Sequence, residues 1–354
     1  MWPKTSITQL LNIVLPIVQA PMAGGITTPA MVAAVSNAGG LGSYAAGYNT
    51  PEEIRQAIHD IRQLTNKPFA VNLFIPEEHP VTPAQLELAR KAVSESCKEL
   101  NFKISPVHPP YAPSFSEQIQ VVIDEKVSVF SFTFGLLDEK WKQALKANQT
   151  ILIGTATNLA EARLLEEQGV DIIAAQGSEA GGHRGTFVGK PKDSLFNTAA
   201  LTKTLIYHIK TPILAAGGIM DAEGVISMLG AGATGVQMGT AFIACSESGA
   251  HPAFKKFLLK SEFDETILTN VFSGKLARGI KNTFMTRMQV HEQDILHYPM
   301  QNALTTPMRR AAAQQNNIQF MSMWAGQHAY LSTGMSAGEF IQAINKKINL
   351  LFGK

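Results

Sequence analysis

Eight short apolar runs punctuate this chain, and their spacing constrains the fold more than any other feature: residues 16–19, 41–45, 69–74, 127–133, 151–155, 170–176, 212–216 and 234–239. Several are apolar at successive positions, as in ILIGTA and VDIIAAQG, the pattern of a parallel strand covered on both faces. Between the runs stand helix starts that can be read from their caps. Thr28-Pro29 and Thr50-Pro51 each place a capping hydroxyl before a proline at the first helical position. Glu53 completes a capping box with Thr50, and Asn158 with Glu161 and Asp221 ahead of Ala222 repeat the arrangement. Each helix carries one apolar stripe, for instance Ile54, Ile58 and Ile61, or Leu159, Ala162 and Leu165. Strand–helix repeated eight times predicts a parallel sheet closed into a (β/α)8 TIM barrel, with an open doubly wound sheet as the competing arrangement.

Two connections are too long for simple turns. Residues 76–115 hold seven of the 18 prolines and an amphipathic stretch near 84–100, and residues 177–197 are rich in glycine and polar residues. Both follow strands, so both belong at the C-terminal face, where barrel active sites lie. Residues 246–330 show no strand pattern and read as an α-helical cap. Phe340, Ile344 and Ile348 mark a last helix near 336–351 that packs back on the barrel. The expected organisation is therefore a barrel over 1–245, a helical cap over 246–330 and a C-terminal helix within 331–354.

Charged residues are only 16% of the chain and the net charge is +2, which excludes a strongly basic nucleic-acid binder. Cys97 and Cys245 cannot form a disulfide framework, and no CxxC offers a zinc site. The apolar segment 10–23 reads as a buried first strand rather than a secretory signal, and no uncharged apolar run reaches the ~18–20 residues of a membrane span. The expectation is a cytoplasmic enzyme without a metal, with no membrane or nucleic-acid partner, as a monomer or homodimer.

The strand ends carry the chemistry. Gln19-Ala20-Pro21-Met22-Ala23-Gly24-Gly25, Ala215-Ala216-Gly217-Gly218 and Gln237-Met238-Gly239-Thr240 put small residues where the backbone can approach a ligand. Two such segments, on the seventh and eighth strands, predict a phosphate cradle of main-chain amides. Residues 230–235 match GxGxxG, but they close a helix and open a strand, the reverse of a dinucleotide fingerprint. His183 sits in the loop GSEAGGHRGT after the sixth strand, and of the nine histidines it alone stands at a strand's C-terminal end. An imidazole there can accept or donate a proton near neutral pH. Asn72 and Gln176 end the third and sixth strands, where each amide must be satisfied by neighbouring backbone or by the polar edge of a bound flavin. Tyr111, Tyr298, Phe74, Met22, Met238 and Trp324 could wall a small-ligand pocket, while Arg184 and Lys281 are candidate anion anchors whose default reading is surface exposure.

These blocks together resemble the nitronate monooxygenase family. The resemblance rests on QAPMAGGITTPAMVAAVSNAGGLG, AVNLF, GTATNLAEARLLEEQGVDIIAAQGSEAGGHRGTF and AAGGI…GVQMGTAF, and more loosely on MSMWAGQ in the cap. It implies a barrel with non-covalent FMN. It also implies His183 as catalytic residue, FMN contacts from Asn72, Gln176, Gly181, Gly217, Gly218 and the backbone of Gln237, Met238, Gly239 and Thr240, and a flavin-flanking loop of Pro21, Met22 and Ala23. Tyr111 and Tyr298 are expected at the substrate pocket. The implied reaction is oxidation of alkyl nitronates, chiefly propionate 3-nitronate, with O2 to an oxo product and nitrite. A flavin-dependent NAD(P)H:quinone or enoyl-thioester reductase on the same barrel is one alternative, since a fold does not settle a function. A flavin-free phosphate-binding isomerase or lyase is another.

Overall fold

A computed structural model of the chain describes residues 4–351. Residues 1–3 and 352–354 of the expected outer segments lie outside the described residues. Eight strands form one parallel sheet: β1 (Ile17–Gln19), β2 (Gly42–Ala45), β3 (Phe69–Phe74), β4 (Val129–Thr133), β5 (Ile151–Ala156), β6 (Ile172–Gln176), β8 (Ile213–Ala216) and β9 (Gly235–Met238), with the short β7 (Gly182–His183) standing outside it. Their order is β1-β9-β8-β6-β5-β4-β3-β2. The remaining gap is bridged just before β2, where Leu41 N donates to Ile17 O and Gln19 N donates to Leu41 O, each at 2.9 Å. The sheet is thus a (β/α)8 TIM barrel, as the eight runs predict.

Both faces of these strands are buried, which is why their sequences do not alternate. Inward-facing Val18, Ala70, Val129, Ile153, Ile172, Ala174 and Leu214 form one cluster with Ile7 and Leu11 of the N-terminal segment. Outward-facing Val71, Phe130, Leu152 and Ile173 pack with Ile54, Ile58, Ile61, Ala162 and Leu165 of the surrounding helices. The caps form as expected. Thr50 and Glu53 make a reciprocal capping box, and the side chains of Thr28, Asn158 and Asp221 accept from Met31, Glu161 and Gly224 amides. Each such cap is worth about 0.5–2 kcal/mol. Gly230 ends the helix Ala222–Gly230 and Gly235 opens β9, so the GxGxxG segment is an αβ turn.

A second apolar core lies over the C-terminal ends of the strands. It unites Ala89, Ala92 and Val93 of the helix Pro83–Ser96 with Phe254, Leu258, Phe272, Phe284, Met288, Leu304 and Met308. The long insertion after β3 and the segment after residue 245 therefore share one core. That later segment is largely helical, but it also contains strands where none was expected. β10 (Thr266–Thr269) pairs antiparallel with β11 (Ala277–Ile280), and β11 pairs with β7. Four-residue strands reading TILT and ARGI are too short and too mixed to show a period; they exist because the loop after β6 supplies an edge to pair with. The last helix, Ala337–Leu351, buries Phe340, Ile344 and Ile348 against Met31, Val35 and Val225 of the barrel helices. Among the described residues no helix is long and apolar enough to cross a membrane.

Candidate active site

The C-terminal ends of the barrel strands open into a cavity of about 960 Å³ lined by barrel loops on one side and by the second core on the other. A mouth of this kind is where side chains from many strands converge.

The barrel side is built by internal clamps. Gln19 is fully buried at the end of β1; its Oε1 accepts from Ser43 N at 3.0 Å and its Nε2 reaches Ser43 O and Thr27 Oγ1. Thr27 Oγ1 in turn accepts from Met22 N at 3.0 Å. This network holds the loop carrying Pro21, Met22 and Ala23 at the cavity edge. Asn72, buried on β3, donates to Ser131 Oγ on β4 at 2.9 Å, leaving its carbonyl oxygen for the cavity. Gly217, Gly218, Gly239 and Thr240 line the cavity beyond β8 and β9, and no backbone hydrogen bond of the described residues uses the amides of Gly217, Gly218 or Gly239. Gly218 adopts φ +67°, and a Cβ there would come within 3.0 Å of His328 Nδ1. A Cβ on Gly181 would lie 2.6 Å from the Ala325–Gly326 backbone. Free amides beside small residues suit an anionic group such as a phosphate.

His183 lines the same cavity from β7. Gln176 holds it: Nε2 donates to His183 O at 2.9 Å, and Oε1 accepts from Gly185 N at 2.8 Å. The two polar ends of Gln176 are thus used inside the protein, on the loop that presents the imidazole. Arg184 completes the clamp by donating to the carbonyls of Gln176, Gly177 and Ser194. It is 2% exposed, so the surface cation expected from sequence is a buried brace. Lys281 is exposed, as expected. The imidazole lies between Phe134 and Trp324, with ring centroids 6.1 and 5.3 Å away, and its Nε2 is 2.8 Å from Ser273 Oγ. Phe134 holds φ +81°, a left-handed conformation that costs a bulky residue about 1–3 kcal/mol and is retained where a side chain must be aimed. Burial, reinforced by the nearby charges of Lys275 and Arg309, pushes the imidazole down to about 3, so at neutral pH it is uncharged. Its Nδ1 makes no hydrogen bond to the described residues and is the atom left to take a proton.

Several contributors were invisible in the sequence. Lys275 sits 4.4 Å over the Phe134 ring and pairs with Glu77 at 2.7 Å. Burial opposes ionisation of Glu77, but Lys275 and His79 together hold its carboxyl below the usual range. His79 stacks on His297 at 4.3 Å, joining the insertion after β3 to the cap. The helix Met300–Gln314 turns Asn302, Thr306 and Arg309 to the cavity while Leu304, Met308 and Ala312 enter the second core. Tyr48, beyond β2, lines the same wall. Of the expected wall residues, Tyr111, Phe74, Met22 and Trp324 reach the cavity. Tyr298 does not: it is 6% exposed and backs Phe74 and Phe134 at 6.5 and 6.1 Å. The Met238 side chain also points away, into the cluster with Ile17, Val236 and Phe242, because neighbouring strand residues face opposite sides.

Residues 4–347 match the sequence profile of the nitronate monooxygenase family. The chain is similar to the probable nitronate monooxygenase of Staphylococcus haemolyticus (strain JCSC1435), 41% identical over 353 residues covering 99% of each. It is likewise similar to that of Staphylococcus aureus (strain Newman), 42% identical over 99% of this chain and 98% of the relative. Among solved structures, nitroalkane oxidase from Streptomyces ansochromogenes superposes with a TM-score of 0.90 at 35% identity, over 97% of this chain and 98% of that one. FabK from Thermotoga maritima superposes at 0.77 and 30% identity, over 99% and 98%. With a whole-chain match, a barrel mouth bearing a glycine cradle and an imidazole aimed into it, this chain belongs to the nitronate monooxygenase family of flavin-dependent oxidoreductases.

Proposed function

We propose that this enzyme binds FMN at the barrel mouth and oxidises alkyl nitronates, chiefly propionate 3-nitronate, with O2, giving an oxo product and nitrite. The observation that carries this reading is the placement of an uncharged His183, clamped by Gln176 and Ser273, in the same cavity as the glycine cradle. The fit to FMN rests on the free amides at Gly217, Gly218 and Gly239, the close approach at Gly181 and Gly218, and the Asn72 carbonyl at the mouth. When bound, the isoalloxazine supplies one-electron redox chemistry toward substrate and O2.

The chain supplies position and proton handling. Main-chain amides at residues 217–218 and 237–240 would hold the phosphate, and Pro21, Met22 and Ala23 would flank the ring system. Gln176 sets where His183 stands, and Ser273 Oγ occupies Nε2. Nδ1 can then take the α-proton of a neutral nitroalkane, the nitronate charge formed beside it offsetting the burial and cations that keep the free imidazole unprotonated; for a substrate already in the nitronate form, no proton transfer is needed and the imidazole only orients it. Phe134, Phe74 and Trp324 exclude water around the reacting carbon. We assign cofactor contacts to the barrel over 1–245, and substrate contacts to the segment 246–330 together with His183 at the seam and Tyr48 and Tyr111 of the barrel loops. Cys97 and Cys245 are both free and buried, with thiols pushed up by burial to about 11 and about 12, which gives neither a catalytic role.

The test is a visible spectrum of the purified protein followed by nitronate-dependent O2 uptake and nitrite release. A yellow protein with both activities supports the reading. Rapid anaerobic bleaching by NADH, without nitronate turnover, marks a reductase instead. A colourless protein that takes up no FMN on reconstitution overturns the proposal.

A further inference from the structure

Among the described residues Arg184 and Arg278 are buried and Arg309 is half-buried, and the three differ in what surrounds their charge. Arg184 lies in the field of Glu161 and Glu179, and Arg278 in that of Asp264 and Glu179. Neither lines the cavity. Arg309 does, and the titratable groups acting on it are a second arginine, Arg310, and the Tyr48 phenol, which burial pushes up and keeps uncharged at neutral pH. Its hydrogen bonds all go to neutral atoms: Nη2 donates to Asn302 Oδ1 and Thr306 Oγ1 at 2.7 Å and to Asn302 O at 3.1 Å. Nη1 has one long contact, 3.4 Å to Ser322 Oγ, and Nε is buried with no acceptor. A guanidinium carries five N–H donors and a full charge. Arg309 lines the cavity, and its Nη1 has no strong acceptor and no acidic neighbour, which makes it a ready donor for an anion.

Arg309 and His183 line the same cavity, and the charge of Arg309 is one of those that disfavour protonation of the imidazole. The other cation acting on His183, Lys275, is already neutralised by Glu77 at 2.7 Å. The glycine cradle suited to a phosphate is made by a different set of elements, the ends of β8 and β9. Near Arg309, the Tyr48 hydroxyl makes no hydrogen bond among the described residues and faces the same cavity. A carboxylate matches the donors left over, one oxygen accepting from Arg309 Nη1 in a charge-assisted bond and the other from the Tyr48 hydroxyl.

We propose that Arg309, assisted by Tyr48, receives a carboxylate at the far end of the substrate, making this enzyme selective for nitronates that carry a second anionic group. This rests on the nitronate reading above and assigns the residue that sets the preference. Arg309 is a specificity residue here, with no part in proton transfer.

The test compares holoenzyme kcat/KM for propionate 3-nitronate and for butyl-1-nitronate, which has a neutral tail of similar length. Wild type is expected to favour the carboxylate-bearing substrate. Arg309→Gln should lower that preference ratio about 10- to 100-fold, the range of a charge-assisted hydrogen bond, with the loss mainly in KM. Arg309→Lys, which keeps the charge without the fork, should fall between and guards against a folding artefact. Equal loss on both substrates in both variants overturns the proposal, as does loss of FMN from Arg309→Gln, which would place the cofactor phosphate there. If wild type turns over neither nitronate, the functional reading fails separately; calorimetric titration of the holoprotein with succinate then decides the site. At least tenfold weaker binding to Arg309→Gln supports it, and equal affinity overturns it.

Discussion

The two walls of the cavity are built on different principles. On the barrel side, position comes from the register of parallel strands: Asn72 opposite Ser131, Gln176 opposite Ala216, Gln19 opposite Met238. Its working surface is largely main chain, with Gln19 and Gln176 fastened to neighbouring backbone and Asn72 keeping only its carbonyl oxygen for the cavity. On the opposite side, position comes from packing of a second core assembled from segments far apart in the chain, and the working surface is side chains: Trp324, Arg309, Tyr111. A wall made of backbone suits a cofactor whose shape does not change. A wall made of side chains can alter the accepted substrate without disturbing the barrel. His183 lies on the seam, held by Gln176 from one side and Ser273 from the other.

The contrast can be broken most sharply at the seam. His183→Asn should cut turnover of neutral nitroalkanes about 10²- to 10⁴-fold, the usual worth of a general base, while flavin absorbance at full occupancy is retained. Loss of the flavin together with the activity would mean that His183 belongs to the cofactor wall. Next in size, a side chain at Gly181 meets the Ala325–Gly326 backbone at 2.6 Å, so Gly181→Ala should lower both flavin content and Tm. Equilibrium dialysis of flavin and a thermal melt read these two effects, and an unchanged protein would contradict a tight backbone cradle.

A third expectation concerns pH. His183 is held near 3 in the folded protein against about 6.5 when unfolded, so the unfolded chain binds the extra proton first as pH falls. Stability from this group is complete above pH ~6.5 and declines between ~6.5 and 3, by at most about 1.4 kcal/mol per unit. Urea unfolding of the apoprotein at pH 7.5 and 5 should therefore show a steeper loss in wild type than in His183→Asn. Smallest of all, Tyr298→Phe should change kcat/KM less than about twofold and stability by under about 0.5 kcal/mol, because the ring backs Phe74 and Phe134 without reaching the cavity. A large kinetic effect would move Tyr298 into the substrate wall.

Much of the barrel side was legible from residue order. The eight runs mark the eight strands to within two residues, and Thr28, Thr50, Asn158 and Asp221 cap the helices they announce. The glycine pairs and His183 fall at the cavity because a βα loop necessarily emerges at the C-terminal face. Reading failed where a residue's meaning depends on something distant in the chain. Arg184 among glycines looks like a solvated loop cation, yet three carbonyls close over it. The Gln176 amide could serve a ligand or neighbouring backbone on sequence alone, and only the fold shows it at the cavity with both polar ends fastening the His183 loop. β10 and β11 carry no period of their own and depend on an edge provided some 95 residues earlier in the chain.

Local order in this chain dictates which faces are apolar, where helices begin and where tight turns must fall, since those depend on neighbours three or four positions away. Partnership is another matter. Ser273 meets His183 across 90 residues, and Arg309 faces the cavity only because Leu304 and Met308 on its own helix are drawn into a core shared with the insertion after β3. Such meetings follow from how two cores pack together, so they belong to the tertiary structure, and with them the substrate-facing half of the site.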